Sequence, residues 1–190
     1  NEITSFVIRG GRYQFMMLIY ILGGFILVGK EFITLWVGEK YLEAYTIALI
    51  MMIPLLFQLS QNVTETILDA MGKRMTRSII LLIGAAVNFI LTIIFVKAYG
   101  VIAAPVASAI SCVLGSLIIL NIYHHRVMGL NVVKMFLGIC HKTLLCALFA
   151  VGISLLVNLV HLNNLYSLLA KGVVFTSVYG ISMWIWGFES

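Results

Sequence analysis

Six stretches of this chain are each long and apolar enough to cross a lipid bilayer, and this constrains the fold more than any other feature. A spanning helix needs about 20 mostly apolar residues, because the hydrocarbon core is about 30 Å thick. The stretches are 13–36, 44–71, 78–96, 101–123, 143–160 and 163–187. Only 10% of the residues are charged, against about a quarter in soluble domains. The sequence therefore predicts an all-α polytopic membrane protein with six transmembrane helices.

The basic residues between the apolar stretches predict the orientation, since short cytoplasmic loops carry an excess of Lys and Arg. On one side of the predicted membrane lie Arg9, Arg12, Lys73, Arg74, Arg77, Arg126, Lys134 and Lys142. The loops on the other side carry only Lys40 and Lys97. Both ends of the chain and the connections 72–77 and 124–141 are therefore predicted to be cytoplasmic.

The predicted outer connections, 37–43, 97–100 and 162–164, are short. Short connections make sequence neighbours spatial neighbours, so we expect antiparallel helical hairpins in a single membrane domain over 1–190. The segment 128–136 mixes apolar residues with Lys134. It is open to two interpretations, an amphipathic helix on the inner leaflet or a simple polar connector.

The second stretch carries a row of polar residues at helical spacing. Its members are Pro54, Gln58, Gln61, Asn62, Glu65 and Asp69. On a single helix from Ala44 to about Met71 these positions lie within an arc of about 100°. Such a face is typical of a helix that borders a polar interior or a water-filled cavity. The row is therefore a candidate substrate path.

Simpler interpretations of this row stay open. Gln58, Gln61 and Asn62 are equally suited to interhelical hydrogen bonds that hold a bundle together. Glu65 and Asp69 come late in the stretch, so they suit either a polar interior or the inner interface, with Asp69 paired to Lys73.

Polar residues on other stretches are weaker candidates. Asn88 in the third stretch suits either packing or the substrate path. Lys30 and Glu31 could pair with each other or extend their side chains to the lipid headgroups. Lys171 could also extend to the headgroups, or it could contact an anionic substrate. The fourth stretch has a small residue at every fourth position, which favours close helix packing. These small residues are Ala103, Ala107, Ser111 and Gly115.

Several function classes lack support in the sequence. The four histidines and three cysteines have no spacing typical of a metal site, so no metal or other cofactor is predicted. The basic residues are clustered between apolar stretches instead of forming a stripe, which does not favour nucleic-acid binding. No motif of a nucleophile elbow, a phosphate loop or a metalloprotease is present, so an enzyme is not expected.

Three segments resemble bacterial polysaccharide-unit flippases, which belong to the multidrug, oligosaccharidyl-lipid and polysaccharide exporter superfamily. The segment 29–41, GKEFITLWVGEKY, followed by Ala44, resembles the family pattern G-x-x-F-I-x-L-W-x-G-x-x-Y-x-x-A. Gln61-Asn62 with ILDAMGK at 67–73 is similar to the end of the family's next helix. KAYGVIAA at 97–104 is similar to its turn into the following one.

The resemblance implies a fold of two six-helix lobes and a place for this chain within it. Residues 1–124 would form the last four core helices of the C-terminal lobe, and 125–190 an inner loop with two C-terminal helices. The N-terminal lobe would be absent from this chain. Alternating access would then come from rocking of the two lobes.

The resemblance also implies a function. The protein would flip oligosaccharide units linked to polyprenyl diphosphate across the bacterial cytoplasmic membrane, for O-antigen, capsule or exopolysaccharide assembly. Its partners would be membrane lipids and a polysaccharide polymerase complex. Lys30 and Lys171 would be the only intramembrane cations of this chain, and the diphosphate site would lie mainly on the absent helices. Glu65 or Asp69 would couple transport to H⁺ or Na⁺. The alternatives are export of another cargo, such as a peptidoglycan lipid precursor or a drug, and a membrane subunit that does not transport.

Overall fold

The computed structural model describes residues 2–100, 102–129, 131–156 and 164–187, and most of them are helical. The α-helices are α1 (Glu2–Trp36), α2 (Glu43–Leu59), α3 (Asn62–Ala70), α4 (Arg74–Tyr99), α5 (Ala103–Cys112), α6 (Leu120–Met128), α7 (Val132–Leu155) and α8 (Asn164–Ser182). A π-helical segment, Val113–Ile119, joins α5 to α6, and a second, Met183–Gly187, extends α8. A short 3₁₀ turn, Glu39–Tyr41, precedes α2.

Six helical stretches of the described chain are long and apolar enough to cross a membrane. We number them spans 1 to 6: Ser5–Trp36, Glu39–Leu59, Arg74–Tyr99, Ala103–Val127, Val132–Leu155 and Tyr166–Ile185. The predicted all-α architecture with six candidate spans is confirmed. The chain thus has the architecture of a multi-pass membrane protein, judged by helix length and composition.

Spans 3 and 4 form an antiparallel hairpin, as predicted from their short connection. Asn88, late in span 3, contacts Ser108 near the start of span 4. Gly84, one turn before Asn88 on span 3, contacts Ser111, which follows Ser108 on span 4. Gly100 ends α4 with a φ of 80°, a conformation that glycine adopts without steric cost. The connection therefore reverses the chain within a few residues.

The helices pack in the order α4, α5, α2, α1, α7, α8, with each helix against the next. A buried apolar core lies at the α1, α7 and α8 end of this row and includes Phe15, Ile139, Ala150 and Phe175. Leu56 extends this core to α2. At the other end, α4 has no buried residue among those described. The two ends of the row therefore differ in how they are held together.

The prediction of one continuous helix from Ala44 to about Met71 is wrong. The chain passes through Pro54 as a helix, but α2 ends at Leu59 and α3 begins at Asn62. At the break, the Ser60 hydroxyl donates to the carbonyl of Phe57 at 2.8 Å. Side-chain bonds of this kind offer the backbone an alternative to the helix. The polar row is consequently divided between two helices.

The structure also corrects both interpretations of segment 128–136. This segment contains the end of α6 and the first turns of α7, so span 5 begins eleven residues before the predicted Thr143. Gly129, with a φ of 64°, ends α6, and the Asn131 side chain caps α7 by accepting a hydrogen bond from the amide of Lys134 at 3.1 Å. Helix-ending glycine and helix-capping asparagine are common signals that the hydropathy pattern hides.

The predicted outer connection 162–164 falls mostly outside the described residues, since only Asn164 of the three is described.

Candidate functional site

Span 4 presents a line of small and polar side chains, which we call the polar seam. Its members are Ser108, Ser111, Cys112, Ser116, Asn121 and His124. Most of the steps are three or four residues, as on one face of an α-helix. The five-residue step from Ser116 to Asn121 overlaps the end of the π-helical segment, whose hydrogen bonds link residues five apart. The seam therefore follows span 4 for about 24 Å at 1.5 Å per residue.

The first part of the seam faces span 3. The Ser111 hydroxyl donates to the carbonyl of Gly84 at 2.7 Å, and the Ser108 hydroxyl donates to Oδ1 of Asn88 at 3.3 Å. A Cβ on Gly115 would lie 3.6 Å from Cα of Gly84, so the two backbones are close. A cavity of about 150 Å³ lies beside these residues. Asn88, a predicted path residue, thus takes part in an interhelical hydrogen bond.

Gln58 contacts the seam from span 2. The Cys112 thiol donates to Oε1 of Gln58 at 3.0 Å. The structure therefore brings Gln58 and Asn88, predicted from two different helices, to the same short part of span 4. This contact is also what the packing interpretation of Gln58 would require.

A group of charged side chains lies on α3 and at the start of α4, at the end of the bundle that is predicted to be cytoplasmic, and we call it the inner polar cluster. Its centre is Arg77 with Glu65 and Asp69, and Gln61 lies one turn before Glu65. We include His124 of span 4, because the charge of Arg77 acts on it, and Asn121, which lies one turn before His124. Arg77 donates through Nη2 to Oε2 of Glu65 and, at 3.2 Å, through Nη1 to Oδ2 of Asp69. Gly72, with a φ of 72°, makes the turn that returns Arg77 to α3. The expected pairing of Asp69 with Lys73 is thus replaced by a pairing with Arg77, eight residues along the chain.

The inner polar cluster is largely enclosed. Glu65 is 7% exposed, Gln61 is 2% exposed and His124 is 0% exposed. α3 follows the span that ends at Leu59, so Glu65 lies beyond that span. Burial raises the pKa of Glu65 above its ordinary value; Arg77 opposes this shift and Asp69 adds to it. The Glu65 carboxyl group is therefore held with little water around it, whereas Arg77 and Asp69 are partly exposed.

Several polar atoms of this cluster are buried without a hydrogen-bond partner among the described residues. They are Oε1 of Gln61, Oδ1 of Asp69, Nε of Arg77, Oδ1 of Asn121, and Nδ1 and Nε2 of His124. Buried polar atoms in native proteins are nearly always satisfied by protein or water. The cluster therefore has unused capacity to bind a small polar species.

A second group of charges lies at the end of the bundle that is predicted to be the outer one. Lys171 of α8 is 4% exposed and forms an ion pair with Glu31 of α1. Lys171 therefore does not extend to the headgroups as one interpretation had it, and Glu31 pairs with it instead of with Lys30. The Lys30 ammonium lies 5.4 Å from the ring centroid of Tyr45, a cation–π contact. Lys30 and Glu31 also border a cleft of about 490 Å³.

The remaining predicted residue of the row, Asn62, is the first residue of α3 and is partly buried. Sequence reasoning missed Arg77, Asn121 and His124 as members of a site. In the sequence, Arg77 stands out only as one of the basic residues that predict topology, and His124 has no metal-ligand spacing. Asn121 and His124 are three residues apart on a helix, and extending the small-residue line of span 4 to them would have suggested their common face.

Comparisons of this chain with protein-family models, with curated proteins and with solved structures found no match.

Proposed function

We propose that this chain forms part of a transporter that moves oligosaccharide units linked to polyprenyl diphosphate across the bacterial cytoplasmic membrane. The observation that supports the proposal is the polar seam, which follows span 4 from Ser108 to the buried His124, on which the charge of Arg77 acts. A sugar crossing a bilayer needs amide and hydroxyl groups to replace its lost water, whereas the lipid tail stays in hydrocarbon. The sequence resemblance points to the same class of cargo.

The positions of the cations bear on how such a cargo would be held. Lys171 is already neutralised by Glu31, and Arg77 is neutralised by Glu65 and Asp69. Lys30 has no ion pair among the described residues and borders the outer cleft. In this proposal Lys30 is therefore the intramembrane group best placed to meet a diphosphate, at the outer end of the path.

A second candidate is a membrane subunit that packs against other proteins without transporting anything. It is favoured by the hydrogen bonds that Gln58 and Asn88 make to span 4, since these occupy the polar groups that a substrate would need. In that case the seam only holds the helices together.

Substitution of the row separates the two candidates. The full-length protein carrying Gln58→Leu, Gln61→Leu and Asn62→Leu is produced in cells that lack the wild-type copy, and surface polysaccharide is quantified. Thr66→Leu is the matched control, because Thr66 is exposed on the same helix as Asn62. We expect loss of surface polysaccharide in the triple variant alone, with normal amounts of protein in the membrane. Unchanged polysaccharide from a folded triple variant would reject the transport path.

A further inference from the structure

The outer cleft, which has a volume of about 490 Å³, combines charged and apolar side chains. Lys30, Glu31, Thr34 and Leu35 line it from α1, and Leu42 lines it from the residue before α2. Successive turns of one helix place Thr34 beside Lys30 and Leu35 beside Glu31. The cleft therefore offers polar groups and apolar surface to the same ligand, as the binding of an amphipathic molecule requires.

The depth of the cleft in the membrane follows from the length of α1. No charged residue separates Arg12, on the predicted cytoplasmic side, from Lys30. The rise between these two residues is about 27 Å at 1.5 Å per residue, close to the hydrocarbon thickness of about 30 Å. Trp36 and Tyr41 follow Lys30 and are exposed, as aromatic residues at a membrane interface are. The cleft thus lies at the lipid headgroups of the predicted outer leaflet.

Lys30 supplies a positive charge that the protein does not balance. Its ammonium lies 5.4 Å from the ring centroid of Tyr45, and the Tyr45 hydroxyl holds that ring in place by donating to the carbonyl of Ile26 at 3.1 Å. Lys30 is exposed and has no ion pair among the described residues. A ligand with one negative charge would therefore balance it.

Glu31 supplies a hydrogen-bond acceptor whose charge is already balanced. Its Oε1 accepts from the Lys171 ammonium, whereas its Oε2 has no partner among the described residues. The Glu31 side chain is 32% exposed, so a ligand in the cleft can reach it. A second cation would compete with Lys171 for the same carboxylate. A neutral donor, such as a hydroxyl group, therefore suits Oε2 best.

We propose that the outer cleft binds the headgroup of phosphatidylglycerol. The phosphodiester of this lipid carries the single negative charge that balances Lys30, and its glycerol hydroxyls donate to Oε2 of Glu31. Phosphatidylcholine has no hydrogen-bond donor in its headgroup, and phosphatidylethanolamine brings a second cation to Glu31. Both of these lipids are also neutral overall, so they leave the charge of Lys30 in excess.

This inference goes beyond the proposed function, because a resident lipid can bind whatever the chain carries. Its test measures no transport, so either proposal can fail without the other. If the chain also carries a lipid diphosphate, the two ligands share Lys30 and cannot occupy the cleft together.

A lipid titration tests the proposal. The full-length protein is stripped of lipid in a neutral detergent and titrated with phosphatidylglycerol, phosphatidylethanolamine or phosphatidylcholine, all with the same acyl chains. Native mass spectrometry counts the bound lipids and gives their dissociation constants. We expect one phosphatidylglycerol to bind at least about tenfold more tightly than phosphatidylcholine, and also more tightly than phosphatidylethanolamine. Equal affinities for the three lipids would overturn the proposal.

Replacement of the cation tests the role of Lys30. Lys30→Met is expected to weaken phosphatidylglycerol binding about fivefold, the contribution of one lysine near an anionic headgroup. Lys40→Met is the matched control, because Lys40 is an exposed lysine of the following 3₁₀ turn and does not line the cleft. It is expected to keep the wild-type affinity. An unchanged affinity in Lys30→Met would contradict the proposed site.

A second lipid tests the hydrogen bond to Glu31 without any substitution in the protein. Phosphatidylethanol carries the same charge as phosphatidylglycerol but has no hydroxyl group in its headgroup. We expect the wild type to bind it about tenfold more weakly, because a hydrogen bond to a charged group is lost. Equal binding of the two lipids would exclude the contact with Glu31, and the proposal with it.

Discussion

The two ends of the helix row illustrate two ways to hold membrane helices together. At the α1, α7 and α8 end, large side chains interlock in an apolar core that contains Phe15, Ile139 and Phe175. At the α4 and α5 end, small residues bring backbones close, and hydroxyl and amide groups form the contacts. Lipid tails are as apolar as leucine, so neither end gains from the hydrophobic effect as a soluble core does.

The difference has a consequence for motion. A core of interlocked side chains resists sliding, because any displacement opens voids or creates overlaps. Helices in contact through glycine and serine present a smoother surface, with few hydrogen bonds to exchange. The structure therefore favours α1, α7 and α8 as the rigid part and spans 3 and 4 as the part that can shift. The four predictions that follow test this division, from the largest expected effect to the smallest.

Removing the central cation of the inner polar cluster is expected to have the largest effect. Arg77→Met leaves Glu65 enclosed without its counter-ion. We expect the free energy of unfolding to fall by about 3 kcal/mol, the lower end of the range for breaking a buried ion pair, because Arg77 is partly exposed. Arg74→Met, an exposed arginine at the start of the same helix, is the matched control. Thermal and denaturant unfolding in detergent, followed with a thiol-reactive dye, measures both. Equal stability of the two variants would contradict the importance of this ion pair.

A matched pair of glycine substitutions compares the two ends directly. A Cβ on Gly11 would lie 2.7 Å from Cδ1 of Ile139 and 3.0 Å from the carbonyl oxygen of Ser60, which is backbone and cannot easily yield. A Cβ on Gly115 would meet Gly84 at an ordinary contact distance of 3.6 Å. We expect Gly11→Ala to cost about 1–3 kcal/mol, as overpacking does.

Gly115→Ala is expected to be nearly neutral in the same unfolding assay. If Gly115→Ala were instead the more destabilising of the two, the α4 and α5 end would be the tighter one. The proposed division into a rigid and a mobile part would then have to be reversed.

Removing one hydrogen bond from the seam is expected to have a smaller effect. Ser111→Ala loses the 2.7 Å bond to the carbonyl of Gly84, and such bonds between membrane helices contribute about 0.6 kcal/mol on average. Ser154→Ala is the control, because the Ser154 hydroxyl donates within its own helix, to the carbonyl of Ala150 at 2.8 Å. A decrease of more than about 2 kcal/mol in the free energy of unfolding of Ser111→Ala would exceed the measured range for such bonds. It would mean that spans 3 and 4 are held together too firmly to shift.

Hydropathy was sufficient to predict the six spans, because a bilayer requires about 20 apolar residues in each helix whatever the helices pack against. It could not place the ends of α2 and α7, which depend on Ser60, Gly129 and Asn131 acting on the local backbone. These single-residue signals are weak beside a long apolar pattern. The boundary errors therefore have a local physical cause.

The candidate site was only partly predictable. Glu65 and Asp69 stood out because carboxylates are costly near a membrane. Their partner Arg77 comes after a turn, and sequence spacing along one helix cannot predict a contact made across that turn. His124 of span 4 lies where the charge of Arg77 acts on it, and that position depends on how the helices pack. A polar residue can thus be identified from sequence more readily than the residue that neutralises it.

The smallest expected effect concerns the pH dependence of stability. Burial, opposed by Arg77 and assisted by Asp69, raises the pKa of Glu65 above its ordinary 4.5. The folded protein therefore binds this proton more tightly than the unfolded chain does. By linkage, the stabilising contribution is fully present below pH 4.5 and is lost as the pH rises through the folded-state pKa.

Glu65→Gln cannot titrate, so it lacks this pH-dependent contribution. We therefore expect the wild type to gain stability relative to Glu65→Gln as the pH falls from neutrality toward 4.5, measured as the difference between their free energies of unfolding. Glu43→Gln, which replaces an exposed carboxylate, controls for the general effect of removing a charge. A difference that shrinks as the pH falls would mean that attraction to Arg77 outweighs burial at Glu65. Glu65 and Arg77 would then form an ion pair that persists as the pH falls, comparable to Glu31 with Lys171. Ion pairs would in that case hold α3 to α4 as firmly as α1 to α8.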